Sequence, residues 1–150
     1  MGTLSDLDKE TLNEMATFPE KIGRSIENYR FREALSELMN LARLGNKYLT
    51  ETEPWKLFKT DVSRTATVLN IALQICANLA IMSEPFLPFS AGKLQRMLNM
   101  QLEGGSLPNE KASNAPVWQK AGGSLLAEGL QLAPAELLFE KIKKILGEPT

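Results

Sequence analysis

A chain of 150 residues can form one hydrophobic core that buries roughly two-thirds of the unfolded surface, and its formal charge of −1 excludes the broad positive field of a non-specific nucleic-acid binder. The absence of histidine and the presence of one cysteine, Cys76, remove imidazole acid–base chemistry, Ser/His/Asp and Cys/His nucleophilic sites, intrachain disulfides and the commonest zinc sites. No basic stretch followed by an apolar one opens the chain, and no uninterrupted apolar run approaches membrane-spanning length, so a soluble cytoplasmic protein with no membrane partner is expected. No catalytic residue and no metal ligand set is assigned.

Helical periodicity dominates, which predicts an all-α bundle of about five helices in one domain, 1–150. The first helix follows Ser5 or Asp6. Pro19 interrupts it, and Thr17-Phe18-Pro19-Glu20 also reads as a fresh capping box, leaving a kink and a restart both open. The second helix spans about Phe31 to Thr52. Its apolar residues Leu35, Leu38, Met39, Leu41, Ala42, Leu44, Tyr48 and Leu49 recur every three or four positions and predict one buried stripe. Pro54 removes a backbone donor and disfavours helix at Glu53, so the helix stops there and Trp55 falls on a connection. An indole in that place can anchor a fold or stack on a base.

Asp61 caps a third helix running through Val62, Ala66, Leu69, Ile71, Ala72, Ile75, Ala80 and Ile81. Because it is apolar nearly all round, it is predicted to be central, with Cys76 packing as a small hydrophobe. Ser83-Glu84-Pro85 ends it, Phe86-Leu87-Pro88-Phe89 forms an apolar corner that closes the core, and Ser90 caps a shorter helix carrying Leu94, Met97 and Leu98. Met97 and Met100 suit packing, since no soft-ligand cluster accompanies them.

The stretch 103–116 breaks any regular pattern with Gly104-Gly105-Ser106, Pro108-Asn109 and Ser113-Asn114, and predicts a surface loop. A C-terminal appendage, 117–150, follows. Trp118 pins the returning chain onto the bundle, and Gly122, Gly123 and Gly129 allow turns, because no strand or phosphate-loop lysine gives them a nucleotide-binding context. A last, returning helix is predicted from Pro134 at its start, Glu136 in its first turn, Lys141, Lys143 and Lys144 toward its end, and Gly147 beyond. Leu137, Leu138, Phe139 and Ile142 would dock it on the bundle.

The stretch Gly45-Asn46-Lys47-Tyr48-Leu49-Thr50-Glu51-Thr52-Glu53-Pro54-Trp55 resembles the anticodon-binding helical domain of methionyl-tRNA synthetases, in which a helix ending in Asn-x-Tyr, a polar stretch and Pro-Trp is a hallmark. Three later segments, Leu69–Ile75, Glu84–Ser90 and Pro134–Ile142, are similar to segments of those enzymes in the same order, so the likeness runs from roughly Leu4 to Ile142. The resemblance implies that the partner is the anticodon loop of methionine tRNA. It further implies that Trp55 contacts the first anticodon base, while Asn46 and Tyr48 orient the helix end beside it. Loop bases splay outward, and stacking one on an aromatic ring contributes about 1–3 kcal/mol.

Lys47, Lys56, Lys59 and Arg64 are candidates for phosphate contacts, although Glu51, Glu53 and Asp61 offset much of their field. The resemblance also implies a larger methionine-tRNA ligase that uses ATP and methionine, of which this chain is a non-catalytic fragment joined to an absent catalytic portion. The fragment is expected to begin after the first anticodon-domain helix, which in the family carries an Asn/Arg pair used in base reading. The alternative is a helical protein–protein interaction module that uses its leucines, methionines and phenylalanines.

Overall fold

The computed structural model describes residues 2–100 and 118–140. Helix α1 (Asp6–Glu27) starts from a capping box: the Ser5 hydroxyl accepts the Asp8 N–H at 3.3 Å, and the Asp8 carboxylate accepts the Ser5 N–H at 2.9 Å. The helix runs through Pro19 without a restart. Met15, Phe18 and Ile22 are buried on either side of the proline, and that burial outweighs the one backbone bond it removes. Thr17, considered as a new cap, instead turns its hydroxyl back to the Glu14 carbonyl at 2.7 Å.

Helix α2 (Phe31–Thr52) has the bounds that periodicity predicts. Its buried stripe holds the expected Leu38, Leu41, Leu44 and Tyr48 and adds Ala34, with Ala42 and Leu49 half-buried at its edge, while Leu35 and Met39, expected in it, are exposed. Gly45 lies on the same side, where an added Cβ would come within 3.2 Å of Ile75, so its missing side chain lets the neighbouring helix approach closely. A single turn, α3 (Pro54–Leu57), precedes α4 (Val62–Met82), and α5 (Pro88–Met97) follows.

Helix α4 is central as predicted, packing against α1, α2, α3 and α5. Among the described residues it is the one helix long and apolar enough to cross a membrane, yet 61% of its apolar window is buried inside the protein. On one side it completes a core with Met15, Phe18, Ile22, Leu38, Leu41 and Tyr48. On the other, Ala77 and Ala80 join Leu98 and Leu126, with Cys76 partly buried among them. Burial pushes the Cys76 thiol pKa up, which keeps it protonated and unreactive.

The corner before α5 closes the core only through Phe86, since Leu87 is 43% and Phe89 86% exposed. Leu87, not Ser90, occupies the N-cap, because Pro88 with its fixed φ takes the first helical position and sets the start of the helix. The predicted loop 103–116 lies outside the described residues.

The returning chain is strapped to α4 by two buried amides. Gln74 Oε1 accepts the N–H groups of Leu125 and Leu126 at 2.7 and 3.0 Å, and its Nε2 donates to the Leu126 carbonyl at 2.8 Å. Asn78 takes the Gly122 N–H at 2.5 Å and donates to the Gly123 carbonyl at 3.0 Å. Gly122 has φ +90°, and an added Cβ would meet Pro19 at 3.0 Å, so glycine is needed both for its backbone angle and for contact with α1. Trp118 packs on the core with its indole against Gly23, as expected for a pin.

The helix predicted to start at Pro134 is not formed through Glu140, where the backbone is irregular. Leu137 and Phe139 are exposed, at 78% and 64%, and make no dock on the bundle. Leu138 between them is half-buried, and among the described residues this short run lacks the extensive tertiary packing that stabilises short helices. Ala133 and Glu136 instead donate their N–H groups to the carbonyl and sulfur of Met97, at 2.9 and 3.0 Å. Lys141, Ile142, Lys143, Lys144 and Gly147 fall outside the described residues.

Candidate nucleic-acid interface

The end of α2 is built around Tyr48. Its ring is 1% exposed and its phenol donates to Asp8 Oδ1 at 2.7 Å, while the hydroxyl of Thr52 bonds to its carbonyl at 2.7 Å. Tyr48 is therefore enclosed, with no face free for a base, and what it can do for the site is hold the helix end. Glu53 then enters the left-handed region at φ 42°, ψ 58°, with its N–H still bonded to the Leu49 carbonyl. Pro54 disfavours the right-handed helix for the residue before it, and this left-handed step redirects the chain. Its direct result is that Trp55 sits on the one-turn helix α3 rather than in an open loop.

Within that turn Pro54 is buried and Leu57 packs on the core, which leaves Trp55 58% exposed. Phe58, three positions on, is 61% exposed and Val62 63%, giving this end of the bundle an apolar surface. The Asp61 carboxylate closes the connection by accepting the Arg64 N–H at 2.9 Å, as the predicted cap of α4.

Asp8 lies beneath this connection with its side chain fully buried. Arg64 grips both of its oxygens, Nη2 reaching Oδ1 at 2.8 Å and Nη1 reaching Oδ2, and Nη2 also meets the Ser5 hydroxyl at 3.0 Å. Burial alone would raise the Asp8 pKa. The hydrogen bonds from Arg64, Tyr48 and the Ser5 N–H, with the Arg64 charge, more than offset it and hold the carboxyl well below the usual carboxylate range. Burial and the Asp8 carboxylate push the Tyr48 phenol up, so it remains a protonated donor. The bond to Asp8 raises the Arg64 pKa further.

Arg64 is thereby committed to Asp8 and is not free as a phosphate contact. Lys47 faces Glu51 at 3.9 Å, and Lys56 pairs with Glu53 at 2.6 Å, so both cations are locally balanced. Lys59 is exposed, with no ion pair to it among the described residues. Asn46 is exposed on α2, with its carbonyl accepting the Thr50 hydroxyl at 2.9 Å and its side-chain amide open to solvent. Among the described residues no group of three or more Asp, Glu or Cys side chains converges to hold a metal ion.

The sequence reading took Ser5 only as a helix start and missed Asp8 and Phe58. The Ser5-x-x-Asp8 spacing of a capping box is a usable signal for Ser5 and Asp8, but the pairing of Asp8 with a residue 56 positions away leaves no local trace. A second surface feature, an open depression lined by Tyr29, Arg30, Phe31, Arg32 and Glu33, lies at the other end of α2, roughly 33 Å of helix away from Trp55.

The family profile described as the anticodon binding domain of methionyl tRNA ligase matches residues 1–145. The methionine–tRNA ligase of Phocaeicola vulgatus is 54% identical over 143 residues, covering 95% of this chain and 19% of the relative. That of Christiangramia forsetii is 50% identical over 144 residues, covering 95% and 20%. In fold, the chain is similar to the free-state crystal structure of Mycobacterium tuberculosis methionyl-tRNA synthetase, with a TM-score of 0.76 at 24% identity over 95% of this chain and 27% of that one. The same enzyme bound by methionyl-adenylate gives a TM-score of 0.74 over 93% and 26%. The chain thus spans about a fifth of the length of the curated relatives it matches. On the profile match across nearly all of its length, the chain belongs to the family of anticodon-binding domains of methionyl-tRNA ligases.

Proposed function

We propose that this chain receives the anticodon loop of methionine tRNA on the surface around Trp55, as part of a larger methionine–tRNA ligase. The observation that carries the reading is an indole left 58% exposed on a turn anchored from below by Pro54 and Leu57, in a chain of this family. A flat ring presented in this way offers a base a stacking face. In this reading Trp55 takes the first anticodon base, Asn46 offers its free amide to the loop, and Tyr48 fixes the helix end without touching RNA. Lys59 is favoured over Lys47 and Lys56 for phosphate contact, because both of those are already paired.

The parent is proposed to attach methionine to its tRNA using ATP in the cytoplasm, with the catalytic portion in the part of the relatives that this chain does not span. The relatives' name as methionine–tRNA ligases and the methionyl-adenylate bound to the M. tuberculosis enzyme support that reading. This chain by itself is proposed to be non-catalytic. The test is a titration with a methionine-type anticodon stem-loop and with the same RNA made abasic at the first anticodon position. Binding is expected to be weak and to fall with salt, and the abasic RNA to bind about tenfold more weakly, within the range for loss of one stacked base. Equal affinity for the two RNAs contradicts the assignment.

A further inference from the structure

The turn that presents Trp55 has little packing of its own. Within 54–60 only Pro54 and Leu57 are turned inward, and Trp55, Lys56, Phe58, Lys59 and Thr60 are all exposed. Its position is therefore set by its two abutments, the last turns of α2 and the first turn of α4. Each abutment sends one side chain to the same buried carboxylate: Tyr48 from α2, at 2.7 Å to Asp8 Oδ1, and Arg64 from α4, to both oxygens. Asp8 in turn is held by the Ser5 N–H at the start of α1.

We propose that Asp8, acting through Tyr48 and Arg64, is a positioning residue that fixes the spacing of the two helix ends and so holds the Trp55 turn in its RNA-receiving geometry. Its consequence for binding rests on the reading of Trp55 as a base platform. Losing one arm lets one abutment move without the other. Trp55 remains present and exposed but is no longer held in advance, and RNA binding must then supply the ordering.

This role differs from simple stabilisation in two ways that can be measured. In a Trp118→Phe background Trp55 is the one remaining tryptophan, and its nanosecond fluorescence anisotropy decay reports ring mobility without RNA. Tyr48→Phe keeps the buried ring and removes one hydroxyl, while Arg64→Lys keeps the charge and loses the two-oxygen grip. Both are compared with the background protein well below their melting temperatures, with circular dichroism establishing equal helix content. The expected result is a larger fast component in the Trp55 decay of each folded variant.

The second readout is a double-mutant cycle on stem-loop affinity. Tyr48→Phe is expected to weaken binding roughly fivefold when Trp55 is present and to have no effect in a Trp55→Ala protein, since the two act as a unit. Unchanged Trp55 decays in both folded variants overturn the proposal. So does an equal affinity loss with and without Trp55, which assigns the cluster a general structural role. If no variant nor the parent binds the stem-loop, the base-platform reading fails, and the anisotropy decays still decide whether Asp8 positions the turn.

Discussion

Asp8→Ala is expected to destabilise the chain by on the order of 3 kcal/mol, read as a lower denaturant midpoint at pH 7. The mutation removes the shared acceptor of Tyr48, which is 1% exposed, and of Arg64, whose side chain is 24% exposed. The phenol is left buried without a partner, whereas the guanidinium recovers part of its loss by turning to water, so the cost falls at the lower end of the range for broken buried pairs. The same carboxylate sets the response to acid. Its folded-state pKa is lowered, so its contribution is fully present above the unfolded carboxylate value and is lost as pH falls through the folded value. Between about pH 5 and pH 2 the unfolded chain takes up this proton first, and stability declines. Asp8→Asn is expected to flatten that acid limb, and an unchanged slope would show that Asp8 is not held in its ionised form.

Gln74→Leu is expected to cost about 3 kcal/mol, because it preserves volume in α4 but strands the polar groups that Gln74 now satisfies. Leu126 is buried, and both its N–H and its carbonyl are bonded to the Gln74 amide. Without that amide the pair is left buried and unpartnered. Hydrogen exchange should localise the effect: Leu125 and Leu126 amides lose protection while the amides of α1 and α2 retain theirs. Full retention of protection at Leu126 would mean that apolar packing, not the amide, fastens the strap.

What sequence made legible was whatever is written locally. The bounds of α2 follow from its periodicity and from Pro54, and the start of α4 follows from Asp61, because caps and breakers act within a turn of themselves. At Pro19 the sequence leaves a kink and a restart open, and the burial of Met15, Phe18 and Ile22 around it carries the helix through without a restart. Nothing in the local pattern of α4 marks Gln74 and Asn78, and only the returning chain reveals them as its fasteners. The stripe of α2 is narrower than its apolar pattern, which gave Leu35 and Met39 weight and passed over Ala34 and Gly45, small residues on the packed side.

At the site itself, the Pro-Trp motif located the turn but left an anchoring and a base-stacking indole equally open. The 58% exposure of Trp55 shows a ring not enclosed in the core, which supports the base platform proposed for it. The enclosure of Tyr48 and the commitment of Arg64 depend on Asp8, far away in sequence, and no spacing rule reaches that far.

The most direct test of the account is titration of a methionine-type anticodon stem-loop into the wild-type chain and into Trp55→Ala, with helix content matched by circular dichroism. Removing the exposed indole is expected to weaken binding by about 1–3 kcal/mol, fivefold or more, while barely changing stability, since the ring contributes little to the core. Indistinguishable affinities for the two folded proteins would contradict the central claim that Trp55 is the surface on which the anticodon base rests.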